Sequence, residues 1–184
     1  MALISLGTGL GAGIIIGGSL FRGAHDGAGE IGLLSSVGDI FRQPSSVGPL
    51  ESRISGAALE QHGDPREIFE QARAGESAAR EIVDSVADGL GLAVANLFAL
   101  LEPELVVLGG WIPKEQDLLV ERIQRVASRL APGSTPIAVA KLDDNAALLG
   151  ALSIAYQVAN TSFLESSGRS SSPAAASSPS DAQP

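Results

Sequence analysis

Apolar residues fall into short runs at the start of the chain and into helix-spaced sets after residue 50. The short runs at residues 2–6, 13–16 and 19–22 are separated by glycine-rich stretches, and this pattern predicts three antiparallel β-strands. Residues 23–48 are rich in glycine, serine and polar side chains with little periodicity, so we expect a long loop there.

Helical periodicity dominates the next part of the chain. Residues 50–61 and 65–73 each place apolar side chains on one face, which predicts two short helices. Gly89 and Gly91 interrupt a longer helical pattern, so we expect close packing against the sheet at those two positions. This longest pattern covers residues 76–101, and its apolar side chains recur every three or four positions at Ile82, Val83, Val86, Leu90, Val94, Leu97, Phe98 and Leu101.

The remaining elements alternate between strand and helix. Residues 105–108 and 136–140 predict buried strands, and residues 116–130 and 145–159 predict helices. The predicted order is a three-strand meander, an insertion of loop and helices, and then helix, strand, helix, strand, helix. Such an alternation indicates an α/β fold whose parallel strands are joined by helical crossovers.

The chain is predicted to contain one folded domain and a tail. Residues 1–160 carry the periodic sequence and are long enough for a single core. Residues 161–184 are mostly serine, alanine and proline, and no aromatic residue follows Phe163. Because such a segment buries too little apolar surface to offset its ordering entropy, we expect it to be disordered.

Composition excludes several classes of protein. The formal net charge of -9 argues against a nucleic-acid surface, which requires clustered positive charge. The absence of cysteine excludes disulfides and thiolate metal sites. Residues 2–21 are uncharged, but glycines break the run and no Lys or Arg precedes it, so we expect neither a signal peptide nor a membrane span. A cytoplasmic protein is the simplest expectation.

The stretch SLGTGLGAGIIIGG at residues 5–18 is the first candidate site. Glycine permits positive φ and lets several backbone N–H groups converge on an anion such as phosphate. The Thr8 hydroxyl would add a further donor. The same glycines also suit a tight hairpin with no ligand, and these residues alone leave both interpretations open.

Taken together, several segments of the chain resemble the ROK family, which comprises repressors, open reading frames and sugar kinases. The resemblance covers residues 3–158, and the segments that carry it are LGTGLGAGIII at 6–16, RGAHDGAGEIG at 22–32, GPLE at 48–51, ELVVLGG at 104–110 and DDNAALLGA at 143–151. It implies an actin/hexokinase-like, ribonuclease H-like fold in which two similar domains close on ATP. This chain corresponds to the C-terminal domain.

The resemblance implies a nucleotide site with Mg and ATP. Gly7, Thr8 and Gly9 correspond to the hairpin that binds the ATP phosphates. Gly109 and Gly110 correspond to the turn beside the adenosine, where missing side chains leave room for the nucleotide.

The resemblance also implies a hexose-type sugar as the partner. Glu30 and Glu51 correspond to the family's two sugar-binding glutamates, and a carboxylate suits this role because it accepts hydrogen bonds from neighbouring hydroxyls. Without the flanking motifs, both residues would be read as solvated carboxylates. His25 lies in the sugar loop and is read as exposed or as a ligand contact, whereas His62 ends a helix and suggests no chemistry.

The zinc site of the family is not expected here. Family members bind zinc with a histidine after the GEIG run and three cysteines before the LE pair. The matching positions in this chain are Leu33, Arg42, Pro44 and Pro49, and none of them is a zinc ligand. Because tetrahedral zinc needs its full ligand set, we expect no bound metal and a mobile loop at residues 33–49.

The family's catalytic aspartate precedes the segment at which this sequence starts, so no residue here is assigned as catalytic. Asp26 and Asp39 are read as solvated turn residues. We therefore expect the C-terminal half of an ATP-dependent hexose kinase, inactive as given. The alternatives are the non-catalytic sugar-binding domain of a transcriptional regulator and an inert fragment. The apolar final helix further suggests self-association into a homo-oligomer.

Overall fold

A computed structural model describes residues 1–43, 45–131, 133, 136–142 and 145–169, with side chains described as far as residue 161. The chain divides into two units, Met1–Asp143 and Asp144–Pro184. The second unit contains one described helix. That helix runs past residue 160 into the segment predicted as a tail, and residues 170–184 lie outside the described part.

The first unit is built on a five-stranded mixed sheet with the strand order β3-β2-β1-β4-β5. Its strands are β1 Ala2–Leu6, β2 Leu10–Ile16, β3 Ser19–Phe21, β4 Val106–Gly110 and β5 Ile137–Val139. The first three strands form the predicted antiparallel meander, and β4 lies parallel to both β1 and β5. The carboxyl ends of β1 and β4 therefore meet at one edge of the sheet.

The second strand begins earlier than the sequence pattern predicts. It starts at Leu10, which pairs with Leu6 across the hairpin, so residues 10–12 belong to the strand rather than to the turn. The turn is confined to residues 7–9, and none of its glycines has a positive φ. The positive φ that glycine permits is therefore not used in this turn.

The described residues form six α-helices: α1 Glu51–Ile54, α2 Gly56–Leu59, α3 Pro65–Ala74, α4 Ser77–Leu101 and α5 Gln116–Leu130 in the first unit, and α6 Ala146–Arg169 in the second. The predicted long loop contains two short 3-10 helices, Ile31–Leu33 and Val37–Phe41, and a third, Ile112–Glu115, follows β4. Asp64 caps α3 as predicted, because its Oδ1 accepts a hydrogen bond of 2.8 Å from the Arg66 N–H.

The helix predicted at residues 50–61 is in fact two helices. Ser55 adopts an extended conformation and ends α1. Its hydroxyl oxygen then accepts a hydrogen bond from the Ala58 N–H at 3.2 Å and so caps the start of α2. The break turns the N–H groups at the start of α2 toward the β1–β2 turn.

The core lies between one face of the sheet and the long helix α4. Ala2, Ile4 and Leu6 of β1 are fully buried, and α4 contributes buried apolar residues along most of its length. By length and composition α4 would be able to cross a membrane, but half of its most apolar stretch is buried inside the protein. Its apolar side chains therefore form the protein core.

Gly89 and Gly91 of α4 are closely packed, but against α1 and α5 rather than against the sheet as predicted. A Cβ at Gly91 would lie 2.6 Å from Val126 Cβ on α5. Overpacking costs about 1–3 kcal/mol, and the better helix propensity of alanine returns at most about 1 kcal/mol. We expect Gly91→Ala to lower the free energy of unfolding measured in urea. Ser85→Ala, an exposed α4 position, should stay within about 0.5 kcal/mol of the unmodified chain, and an equally stable Gly91→Ala would contradict the packing.

Candidate nucleotide and sugar site

The backbone carbonyls of the 7–9 turn are satisfied by neighbouring segments. The Gly7 carbonyl accepts hydrogen bonds from Gly56 N at 2.8 Å and from Trp111 Nε1 at 3.3 Å. The Thr8 carbonyl accepts one from Ala57 N at 3.2 Å. Donors at the start of α2 and after β4 therefore hold the turn by its acceptor groups.

Of the three backbone N–H groups of the same turn, only that of Gly7 donates a hydrogen bond within the described residues, to the Gly9 carbonyl at 2.9 Å. Within the described residues, the N–H groups of Thr8 and Gly9 and the Thr8 hydroxyl donate no hydrogen bond. Thr8 is exposed, so these donors are accessible. Successive backbone N–H groups without partners form a concavity that favours an anion. This geometry supports the anion-binding interpretation of the turn over that of a simple hairpin.

A cleft of about 270 Å³ opens beside this turn. Trp111 and Phe69 supply its aromatic surface and pack edge to face, with ring centroids 5.3 Å apart and an interplanar angle of 66°. The cleft is lined by Gly7, Thr8, Gly56, Glu60, Pro65, Arg66, Phe69, Trp111, Lys114 and Glu115. An aromatic wall next to spare backbone donors suits a ligand that has a flat ring and an anionic tail.

A salt bridge joins two walls of the cleft. Arg73 at the end of α3 bonds Glu115 Oε2 at 2.6 Å and Asp117 Oδ2 at 2.7 Å. Hydrogen bonds from Arg73 hold the pKa of Asp117 below its usual value. These two ion pairs connect α3 to the segment that follows Trp111.

Gly110 acts on the cleft indirectly. It has a φ of 74°, and a Cβ at this position would lie 2.0 Å from the Leu6 carbonyl oxygen. The following residue, Trp111, donates its N–H to that same oxygen at 2.9 Å. Glycine is therefore needed for the chain to turn and place the indole against the 7–9 turn. Neither Gly109 nor Gly110 is among the residues that line the cleft.

Glu51 lies against the 7–9 turn. Its Oε1 accepts a hydrogen bond from Leu10 N at 3.1 Å. A Cβ at Gly9 would lie 2.5 Å from Oε1, and a Cβ at Gly32 would lie 3.0 Å from Glu51 Cβ. The two glycines therefore provide the space into which this carboxylate fits.

Glu30 occupies the other end of the 3-10 helix Ile31–Leu33. Its position depends on Gly29, which has no side chain and whose carbonyl oxygen accepts a hydrogen bond from the Ala12 N–H at 2.7 Å. Glu30 is exposed and lines a second cleft of about 400 Å³ with mostly apolar neighbours, which include Ile14, Phe21, Leu34, Leu97 and Leu100. Glu51 does not line that cleft, although it lies beside Gly32 of the same 3-10 helix.

The remaining candidates in the chain lie outside both clefts. His25 and His62 are exposed and line neither cleft. Asp26 is exposed and is paired with Arg22, as expected for a turn residue. Among the residues that the structure describes, no group of three or more His, Cys, Asp or Glu side chains is placed to hold a metal ion.

Asp39, in contrast, is not the solvated turn residue that we expected. Its carboxylate is buried, and its Oδ2 accepts hydrogen bonds from Ser36 N at 2.7 Å and Ser36 Oγ at 2.8 Å. Its Oδ1 is bonded by Arg53, at the end of α1. The hydrogen bonds from the Ser36 backbone and hydroxyl, together with Arg53, hold the pKa of Asp39 below its usual value.

Positions that correspond to zinc ligands of the family also contribute to this loop. Arg42 donates to the Pro49 carbonyl at 3.3 Å, which ties the two ends of the segment together. Pro44 lies outside the described residues, and Leu33 is exposed. Within the described residues of the loop at 33–49, Asp39 is thus bonded to Arg53 of α1 and Arg42 to Pro49.

The mixed sheet and its helices define a domain of the actin/hexokinase-like class, the fold of similar solved structures. The ROK family model matches residues 1–158. The chain therefore belongs to the ROK family, and the predicted fold class and family are confirmed.

Three relatives of known kind indicate the range of the family. The bifunctional enzyme NanE/NanK of Brucella melitensis is 35% identical over 84% of this chain and 30% of its own length. The xylose repressor of Caldicellulosiruptor bescii is 30% identical over 82% of this chain and 44% of its own length. A glucokinase of Halalkalibacterium halodurans is also 30% identical over 82% of this chain and 54% of its own length, so proteins named as kinases and as repressors are both similar to this chain.

A solved structure shows the same fold with ligands bound. It is a ROK family glucokinase from Streptomyces griseus in complex with glucose and AMPPNP, 29% identical, with a TM-score of 0.73 over 85% of this chain and 60% of that protein. The chain therefore spans less than two thirds of the length of each of these relatives.

The buried carboxylate of Asp39 makes stability depend on pH. The pKa of Asp39 is lower in the folded chain than in the unfolded chain, where it is about 3.9. The contribution of Asp39 to the free energy of unfolding is therefore complete above the unfolded pKa and is lost as the pH falls through the folded pKa. We expect Asp39→Asn to lower the melting temperature at pH 7 and to approach the unmodified chain near pH 3. Asp26→Asn is the exposed control, and a difference for Asp39→Asn that persists unchanged at low pH would contradict this role.

Proposed function

We propose that this chain is the nucleotide- and sugar-binding C-terminal part of an ATP-dependent ROK sugar kinase. The observation that carries the proposal is the 7–9 turn. Its three carbonyl oxygens accept hydrogen bonds from within the protein, whereas the N–H groups of Thr8 and Gly9 donate none within the described residues. ATP phosphates fit these donors, and the adenosine fits the cleft beside Trp111.

The sugar is proposed to bind at Glu30 and Glu51. Glu30 is the residue before the 3-10 helix Ile31–Leu33, Glu51 lies beside Gly32 of that helix, and each carboxylate is able to accept hydrogen bonds from hexose hydroxyls. Glu51 also contacts the end of the phosphate turn. The proposed sugar and nucleotide sites are therefore adjacent, as transfer of a phosphoryl group between them requires.

Phosphoryl transfer depends mainly on positioning and on stabilisation of phosphate charge. The spare N–H groups supply that stabilisation, and magnesium bound with ATP neutralises phosphate charge. We assign the base that accepts the hydroxyl proton to no residue of this chain. Asp26 is paired with Arg22, and Asp39 is bonded by Ser36 and Arg53. On this proposal the chain alone does not phosphorylate hexoses.

The second candidate is the sugar-binding domain of a ROK transcriptional regulator. The similarity to a xylose repressor over 82% of this chain supports it. The two candidates differ at the nucleotide cleft, because a regulator of this kind would need only the sugar site. Nucleotide binding therefore distinguishes them.

In both cases we propose a cytoplasmic protein whose exposed apolar surface favours self-association.

Thr8 provides the direct test of nucleotide binding. We expect ATP to bind the unmodified chain and to change the fluorescence of Trp111, the single tryptophan of the sequence. A hydrogen bond to a charged group contributes about 1.5–3 kcal/mol, so Thr8→Val should weaken ATP binding by roughly tenfold or more in calorimetry.

Ser85→Ala, which removes an exposed hydroxyl on α4, is the control and should bind ATP normally. If calorimetry detects sugar binding but no binding of ATP or ADP, the regulator interpretation replaces the kinase. Equal ATP affinity in Thr8→Val and the unmodified chain would exclude the hydroxyl from the phosphate site.

A further inference from the structure

Glu51 places a negative charge beside the donors that the proposed function assigns to phosphate. Its Oε1 accepts the N–H of Leu10, the residue directly after the turn. The spare N–H of Gly9 is therefore the next donor along the backbone. A phosphate oxygen bound at Gly9 would lie within a few ångströms of this carboxylate, and like charges at such a distance repel each other.

The carboxylate has little freedom to move away. Glu51 is the first residue of α1, and the next helix donates Gly56 N and Ala57 N to the carbonyls of the same turn. The space for the side chain exists because Gly9 and Gly32 lack Cβ atoms. The segment from α1 to α2 therefore attaches both Glu51 and the turn to one short scaffold.

Only one oxygen of the carboxylate is used within the described residues. Oε1 is bonded to Leu10 N, whereas Oε2 accepts no hydrogen bond. A hydroxyl that donates to Oε2 would draw negative charge away from Oε1 and toward itself. The repulsion between Glu51 and a bound phosphate would then decrease.

We propose that Glu51 couples the two ligands of this domain. In the free protein its charge opposes binding of phosphate at the turn, and a sugar hydroxyl that donates to it relieves this opposition. The inference rests on the proposed function, since it takes the turn as a phosphate site. Because coupling between two binding sites is reciprocal, the nucleotide would strengthen sugar binding by the same factor.

The test measures binding of inorganic tripolyphosphate without any sugar. We expect Glu51→Gln to bind it about three- to tenfold more tightly than the unmodified chain, because the charge is removed while an amide oxygen still accepts the Leu10 N–H. Glu81→Gln makes the same change in charge at an exposed residue of α4 with no bond to the turn, and its affinity should stay within about twofold. Added glucose should strengthen tripolyphosphate binding to the unmodified chain but not to Glu51→Gln.

The outcomes separate this inference from the proposed function. Equal affinity of Glu51→Gln and the unmodified chain for tripolyphosphate would overturn the coupling and leave the phosphate site in place. If neither protein binds tripolyphosphate, the phosphate site is wrong and the coupling falls with it. Hydrogen exchange of the Leu10 amide provides the folding control, because its protection should persist in Glu51→Gln.

Discussion

The structure depends on which acceptors and donors of the turn at residues 7–9 have hydrogen-bond partners within the protein. Every acceptor of the 7–9 turn that faces the protein is bonded, by Gly56, Ala57 and Trp111. The donors of Thr8 and Gly9 have no such partners within the described part of the chain. Thr8 is exposed and Gly9 is half-buried, so these two neighbouring donors are open to an external acceptor such as a phosphate oxygen.

The rest of the domain serves to hold that turn in place. Parallel pairing of β1 with β4 brings Trp111 to the same sheet edge, and the left-handed backbone of Gly110 turns the indole toward Gly7. The break at Ser55 directs the first N–H groups of α2 to the turn. Elements that are distant in sequence thus converge on three residues, and the ligand site depends on the sheet order as much as on its own sequence.

Much of the fold could be predicted from the sequence, because strong periodicity reports burial. Helix α5 has the predicted bounds, and α4 differs by one residue at its start. The turn was less predictable: alternating glycines suggested a turn from Gly7 to Ala12, but pairing of Leu10 with Leu6 draws residues 10–12 into the strand. Similarly, the break at Ser55 follows from a contact with the β1–β2 turn, which no local pattern reveals.

The site was predictable only in part, for the same physical reason. Glycine motifs identified Gly7, Thr8 and Gly9, but the roles of Trp111 and Asp39 depend on partners far along the chain. Asp39 in a polar loop gave no sign of burial, although Ser36 three residues earlier is typical of a capping pair. The bond between Glu51 and Leu10 spans 41 positions and is visible only in the folded chain.

The most direct measurement is nuclear magnetic resonance of the backbone amides during titration with ADP. The account predicts that the Thr8 and Gly9 amide resonances and the Trp111 indole resonance shift most, because their groups bind or border the ligand. Large shifts confined to other segments, with Thr8 and Gly9 unchanged at saturating ADP, would contradict it.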